Sequence, residues 1–436
     1  MRNGYVPPVR SVRATTQSEL SAGDPARAQE EIRSLTGLRA VAALWVVVFH
    51  FSFTPGDAWT PYWEFLRPVV LAGPLGVDLF FVLSGFVITL TYLDVIGPRW
   101  STRATTAFLW ARVSRIWPVH ALVTTVFGAW LLFKATRVDD GYLAYQTVQP
   151  VVDLPHYLEQ LLMVQLWHRP SYQGASFAGP AWSLSAEWLA YVAFPVLALL
   201  LWRMREAPAV VTGALAIACL VPFSYLSYAG GTVDVPYAWL LRISGAFLAG
   251  AFTCLAVRRI RRTARTERAA AVVAALAVIE ILIGLWWGHW RGSGFAGVVA
   301  VLFPVLVGAL ALSRSGPSRL LSRPVMVHGG RISFALYLVH VPVFEVFWTL
   351  MAWSPGIAPG TGLGTFLIPH VLLFTVVLAH LAYRYVEEPA RRAMRRRGPA
   401  LPRREDVADD LGTGDVHGAT TAELPRPREE EVGAPV

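Results

Sequence analysis

Charged side chains are scarce in this sequence. They make up 15% of its 436 residues, against about 25% in an ordinary soluble domain. Hydrophobic residues supply 55%, and the mean hydropathy is +0.47. So little charge excludes a soluble globular protein and implies a chain that lives mostly in lipid. Cysteine is nearly absent too. Cys219 and Cys254 lie in separate apolar runs and form no CxxC pair, which excludes a disulfide framework and a thiolate-bound zinc or iron–sulfur centre. No metal site is expected. No GxGxxG follows a strand-like segment, so a dinucleotide fold is excluded as well.

The positive balance needs a different explanation. A net charge of +9 and a pI of 9.8 would suggest nucleic acid in a soluble protein. Here the arginines crowd into short stretches between hydrophobic runs, as in the cytoplasmic loops of membrane proteins, and no nucleic-acid partner is expected. Seventeen tryptophans suit interfacial anchoring of many helices.

A bilayer core takes about 20 apolar residues per helix. That length predicts an all-α polytopic membrane protein with about ten spans, near 35–54, 69–92, 116–134, 181–202, 208–227, 237–257, 269–289, 294–313, 332–353 and 364–386. Residues 1–33 lack the apolar core of a signal peptide and read as a disordered leader. Residues 34–390 form the transmembrane domain, and 391–436 a tail that is basic and then disordered. Arginines at 99, 103, 112 and 115, at 203 and 205, from 258 to 268, and from 314 to 331 alternate with poorly charged connections. That alternation predicts both termini in the cytoplasm. The long connection near 135–180, rich in aromatics and histidines, is expected to cover an outward-facing cavity.

Ionisable residues inside spans are costly in lipid and mark function by default. In the first span, Arg39 and His50 are eleven residues apart. They share one helix face about 16 Å apart along the axis. Histidine is the side chain best suited to take a proton from a hydroxyl near neutral pH. Asp78, in the second span, has two available roles: orienting His50, or pairing with an intramembrane arginine such as Arg242. Glu187 in the fourth span lies at a depth similar to His50 and is expected to share the proton work or hold acceptor hydroxyls. Trp182, Ser183 and His340 are expected around the same cavity. Arg112 and Arg115, three apart at one membrane surface, suit a phosphate-bearing ligand or lipid headgroups. Two histidines and two carboxylates at comparable depth point to a reaction chamber.

Six fragments in order carry a family resemblance: Arg39 with ten residues before His50, GVDLFFVLSGF at 76–86, Arg112-x-x-Arg115 followed by Pro118, WSLSAE at 182–187, ISFALYLVHVP at 332–342 and YVEEP at 385–389. Together they resemble the acyltransferase family 3 membrane proteins, which O-acylate bacterial surface sugars and some antibiotics. The resemblance runs from about 34 to 392. It implies acyl-coenzyme A as co-substrate with no bound cofactor, Arg39, Arg112 and Arg115 near its phosphates, His50 as catalytic base, and a structural role for Glu387. Implied acceptors are a hydroxyl-bearing glycan, a lipid-linked sugar or a macrolide-like molecule. Some relatives carry a fused extracytoplasmic hydrolase-like domain. Only a polar tail follows residue 397 here, so transfer is expected to finish in the membrane domain or with a separate partner. The competing reading is a proton-coupled transporter or lipid flippase, whose buried histidines and carboxylates would relay protons. Against it, the sequence shows no convincing inverted repeat.

Overall fold

A backbone crossing hydrocarbon must satisfy its own N–H and C=O groups, and a helix does so within one segment. The computed structural model describes residues 32–55, 64–137, 148–231 and 235–402, with no strand among them. Among the described residues, ten helices are long and apolar enough to cross a membrane. They are α1 (Arg33–Phe51), α2 (Leu75–Ile96), α3 (Thr102–Ala135), α4 (Gly179–Arg203), α5 (Ala209–Gly230), α6 (Ala238–Arg259), α7 (Ala264–Arg291), α8 (Gly294–Leu312), α9 (Pro324–Trp353) and α10 (Gly362–Arg397). The expected leader falls largely on residues 1–31, and most of the expected tail on 403–436; both stretches lie outside the described residues.

Two helices outrun the apolar windows that announced them by ten residues or more. α3 starts at Thr102, well before the expected 116, because the Ser101 side chain accepts from the Ala104 N–H and caps a polar first turn. Its 34 residues span about 51 Å, more than the bilayer core, so Arg112 and Arg115 ride on the helix itself. α10 passes through a π-helical turn at Tyr383–Glu387 and continues to Arg397. The basic run is therefore helical, tied to α3 by a hydrogen bond from the Trp110 indole to the Met394 carbonyl (2.8 Å).

Small residues bring the helices around α1 close together. α1 packs against both α9 and α2, and α2 packs against α6. Where α2 and α6 meet, a methyl group at Gly85 would collide with the Phe247 carbonyl oxygen, and one at Gly250 with that of Val82. Close backbone approach of this kind replaces the hydrophobic drive that lipid cannot supply. Gly250→Val is accordingly expected to force α2 and α6 apart and cost about 1–3 kcal/mol, the usual penalty for overpacking. Thermal unfolding in detergent would register it as a lowered midpoint. An unchanged midpoint would mean this crossing does not hold the core.

Candidate active site

His50 occupies the last turn of α1. Its Nδ1 lies 2.9 Å from the Val46 carbonyl one turn earlier. The same nitrogen is 3.3 Å from Nε2 of His340, with the ring centroids 5.0 Å apart. His340 repeats the arrangement on α9, its Nδ1 3.2 Å from the Leu336 carbonyl. A backbone carbonyl can only accept, so each ring places its proton on Nδ1. His340 then offers its Nε2 lone pair to the Nδ1–H of His50, which leaves Nε2 of His50 as the basic nitrogen. Expected to line the cavity, His340 instead sits fully buried behind His50, because α9 packs directly on α1. The two helices thus hold the His50 ring from its rear.

The cavity in front of His50 measures about 250 Å³ and lies at the end of the bundle opposite the arginine-rich turns. Its walls include Phe49, Phe53, Trp182, Arg242 and Tyr337. The connection between α3 and α4 adds Val148, Tyr172 and Gln173; residues 138–147 of that connection lie outside the described set. Tyr172 stacks on Trp182 at 4.9 Å with an interplanar angle of 25°. This expanse of aromatic faces with a few polar groups matches the usual make-up of a small-molecule site.

Asp78 is where the sequence left two roles open. Both of its oxygens accept from Arg242, from Nε at 2.9 Å and from Nη2 at 2.7 Å. Arg242 also donates to the Pro74 carbonyl and stacks over Trp182 at 5.0 Å. The pair is almost wholly buried, at 0% and 4% exposure. Of the two roles open to Asp78, the structure shows the pairing with Arg242. Close approach of α2 and α6 delivers it to Arg242, and Arg242 is the group that reaches the cavity. A forked guanidinium held this way keeps a fixed positive charge on the wall of the cavity that His50 also lines.

Glu187 also departs from expectation. It lies on the next cavity toward the arginine-rich end, a narrow space of about 50 Å³ also lined by Arg39, Ser84, Ser183 and Tyr337. There it accepts from the Tyr191 hydroxyl at 2.5 Å, and Tyr191 in turn sits 3.2 Å from Ser84 Oγ. Depth alone suggested a shared site with His50. Five residues beyond Trp182, however, turn the side chain by about 140° around the α4 axis, so Trp182 faces one cavity and Glu187 the other. Ser183 opens on the narrow cavity as well, its Oγ donating to the Tyr337 hydroxyl at 2.7 Å.

Arg39, Arg115, Glu187, Tyr191 and Glu387 form one electrostatic cluster toward the arginine-rich end. The two α3 arginines turn to different helices. Arg112 donates to the Tyr92 hydroxyl at 2.7 Å and lies over its ring, while its Nε is buried without a hydrogen-bond partner. Arg115 pairs with Glu387, which is fully buried in the π-helical turn of α10. A π-turn re-aims a side chain by inserting an extra residue, and here it carries Glu387 inward. Sequence reasoning did not single out Tyr337 or Tyr172. Tyr337 sits three residues before His340 on the same helical face, a spacing that carried the signal; Tyr172 was marked only by its aromatic-rich connection.

Comparison with known proteins follows the same line. The family model described as Acyltransferase domain matches residues 32–384. The chain is 27% identical over 410 residues to the acyltransferase MdmB of Streptomyces mycarofaciens, covering 86% of this chain and 96% of that protein. It is 25% identical over 384 residues to YrhL of Bacillus subtilis, whose name carries the description peptidoglycan O-acetyltransferase. A Staphylococcus aureus protein named as an O-acetyltransferase, SACOL0978, is 23% identical over 380 residues. These two alignments cover 83% of this chain but only 55% and 57% of the respective relatives, so the chain spans little more than half their length. No solved structure matches the chain.

Proposed function

The chain belongs to the acyltransferase family, and we propose that it moves an acyl group from acyl-coenzyme A to a hydroxyl of a carbohydrate, lipid-linked sugar or glycosylated small molecule. The observation that carries this reading is the pair of cavities ranged along α1. Arg39 opens on the narrow one and His50 on the wider one. The donor approaches from the arginine-rich end, which on this reading faces the cytoplasm of a bacterial cell, as do both termini. The acceptor enters the aromatic cavity at the opposite end. A transporter or flippase would share the ten spans, but the family match favours acyl transfer over transport.

The geometry supports the following chemistry. Nε2 of His50 takes the proton of the acceptor hydroxyl as its oxygen bonds to the thioester carbonyl carbon. The tetrahedral oxyanion collapses with cleavage of the C–S bond, and the imidazolium returns the proton to the departing thiolate. Arg242, oriented by Asp78, supplies positive charge in the same cavity where that oxyanion develops. His340 acts by holding the His50 ring in its productive tautomer.

Arg39 tests the donor side. Charge-assisted hydrogen bonds contribute about 1.5–3 kcal/mol, so Arg39→Ala should raise KM for acetyl-coenzyme A about 10- to 100-fold. Thiol release by protein in nanodiscs reads this directly. An unchanged KM would remove Arg39 from the donor site.

A further inference from the structure

The narrow and wide cavities share two wall residues, Val77 and Tyr337. We propose that Tyr337 is a specificity-determining residue that makes the enzyme choose its acceptor over water, by screening the donor thioester from the acceptor cavity until that cavity is filled. The inference rests on the donor and acceptor sides assigned above.

Water is the standing competitor in any acyl transfer to a hydroxyl, because it can attack the same carbonyl carbon. The acceptor cavity, at about 250 Å³, has room for many waters, since about 10–15 Å³ accommodates one. The donor cavity, at about 50 Å³, has room for very few. A base that serves a sugar hydroxyl would serve water in the first space equally well. Discrimination must therefore come from when the thioester is admitted to it.

Tyr337 is built for that task. The residue is 8% exposed, and its ring stands 5.8 Å from the His340 ring and 6.1 Å from that of Phe80. Its hydroxyl donates to the Pro180 carbonyl at 2.8 Å and lies 2.7 Å from Ser183 Oγ. Those anchors belong to the Gly179–Ala181 turn and the first turn of α4. Gly179, Pro180 and Trp182 of that same stretch face the acceptor cavity. An acceptor seated against Trp182 thus presses on the segment that holds the Tyr337 hydroxyl. Moving the ring joins the two cavities, and the thioester carbonyl then reaches the hydroxyl already bound to His50. Closure around substrate that completes a site is an established route to selectivity, and it excludes water during the reaction.

The balance of both reactions is the same on the donor side. Transfer yields one ester and one thiol; leakage consumes one water and yields one carboxylic acid and one thiol. The ratio of ester to thiol therefore reports the partition. In nanodiscs with acetyl-coenzyme A and a cell-envelope glycan extract, wild type should give ester and thiol nearly one to one, with little thiol released when the extract is omitted. Tyr337→Ala should raise acceptor-independent thiol release about tenfold or more and lower the ester-to-thiol ratio. Tyr337→Phe, which keeps the ring and loses only its tether, should fold normally and fall between the two. The proposal is overturned if ester and thiol decline together in both variants with their ratio kept, or if the phenylalanine variant matches wild type while the alanine variant unfolds. Absence of thiol release from folded wild type, with or without extract, would overturn the acyltransferase reading itself and this inference with it.

Discussion

His50→Ala is expected to leave a folded protein that binds its donor with unaltered affinity and transfers acyl groups about 10²- to 10⁴-fold more slowly, the range a positioned general base contributes. The separation of the two effects is the informative part. His50 faces the wide cavity and Arg39 the narrow one, so removing the imidazole leaves the donor contacts in place. Its backing partner gives a milder counterpart: His340 never reaches the cavity, and its loss should disturb the orientation of His50 without removing the base. Single-turnover kinetics with a labelled acyl group, alongside donor binding by calorimetry, would resolve the two terms. Equal weakening of binding and turnover in His50→Ala would place this residue on the donor path and end its assignment as base.

Asp78→Ala should act on folding first. It strips the Arg242 guanidinium of a bidentate partner in a site where the two groups are 4% and 0% exposed. Breaking one side of a buried ion pair costs about 3–5 kcal/mol, because the remaining charge is left uncompensated. Thermal unfolding in detergent should show a large drop in midpoint, and membrane yield should fall with it. The double variant Asp78→Leu with Arg242→Met removes both charges and should recover much of that stability, as apolar replacement of a buried pair often does. It should not recover transfer, since the positive charge beside the oxyanion is gone. A stable but inactive Asp78→Ala would instead return Asp78 to the chemistry at His50.

The sequence and the structure agree most closely where one physical rule governs alone. Ten apolar stretches of bilayer length became ten helices because hydrocarbon leaves the backbone little choice. The ends of α3 and α10 escaped that rule. Their extra turns are polar and are held by the Ser101 cap and by the docking of the basic helix on Trp110, neither of which hydropathy registers. The candidate site was legible as a set of depths. Position along a helix follows from counting residues inward, and His50 and His340 do meet. Azimuth and partner do not follow from depth. Glu187 has the expected depth but faces another cavity, and Asp78 found Arg242 across 164 residues of chain. Lys134 and Glu345, which form a buried pair at 2.8 Å between α3 and α9, were invisible for the same reason. Nothing in the sequence brings Glu345 to Lys134, 211 residues away.

These placements define a division of labour along one helix. On the proposed reading Arg39 marks the donor end of α1 and His50 the acceptor end, and the interval between them is about 16 Å, a distance that an extended thioester arm must cover. The most direct test of the account is to follow a radiolabelled acetyl group from acetyl-coenzyme A, supplied to purified protein in nanodiscs together with cell-envelope glycans. The account predicts label in an alkali-labile ester on the glycan, one thiol released per ester, and loss of both in His50→Ala. Label transferred equally well by His50→Ala, or no transfer and no thiol from folded wild type with acetyl or longer donors, would contradict it.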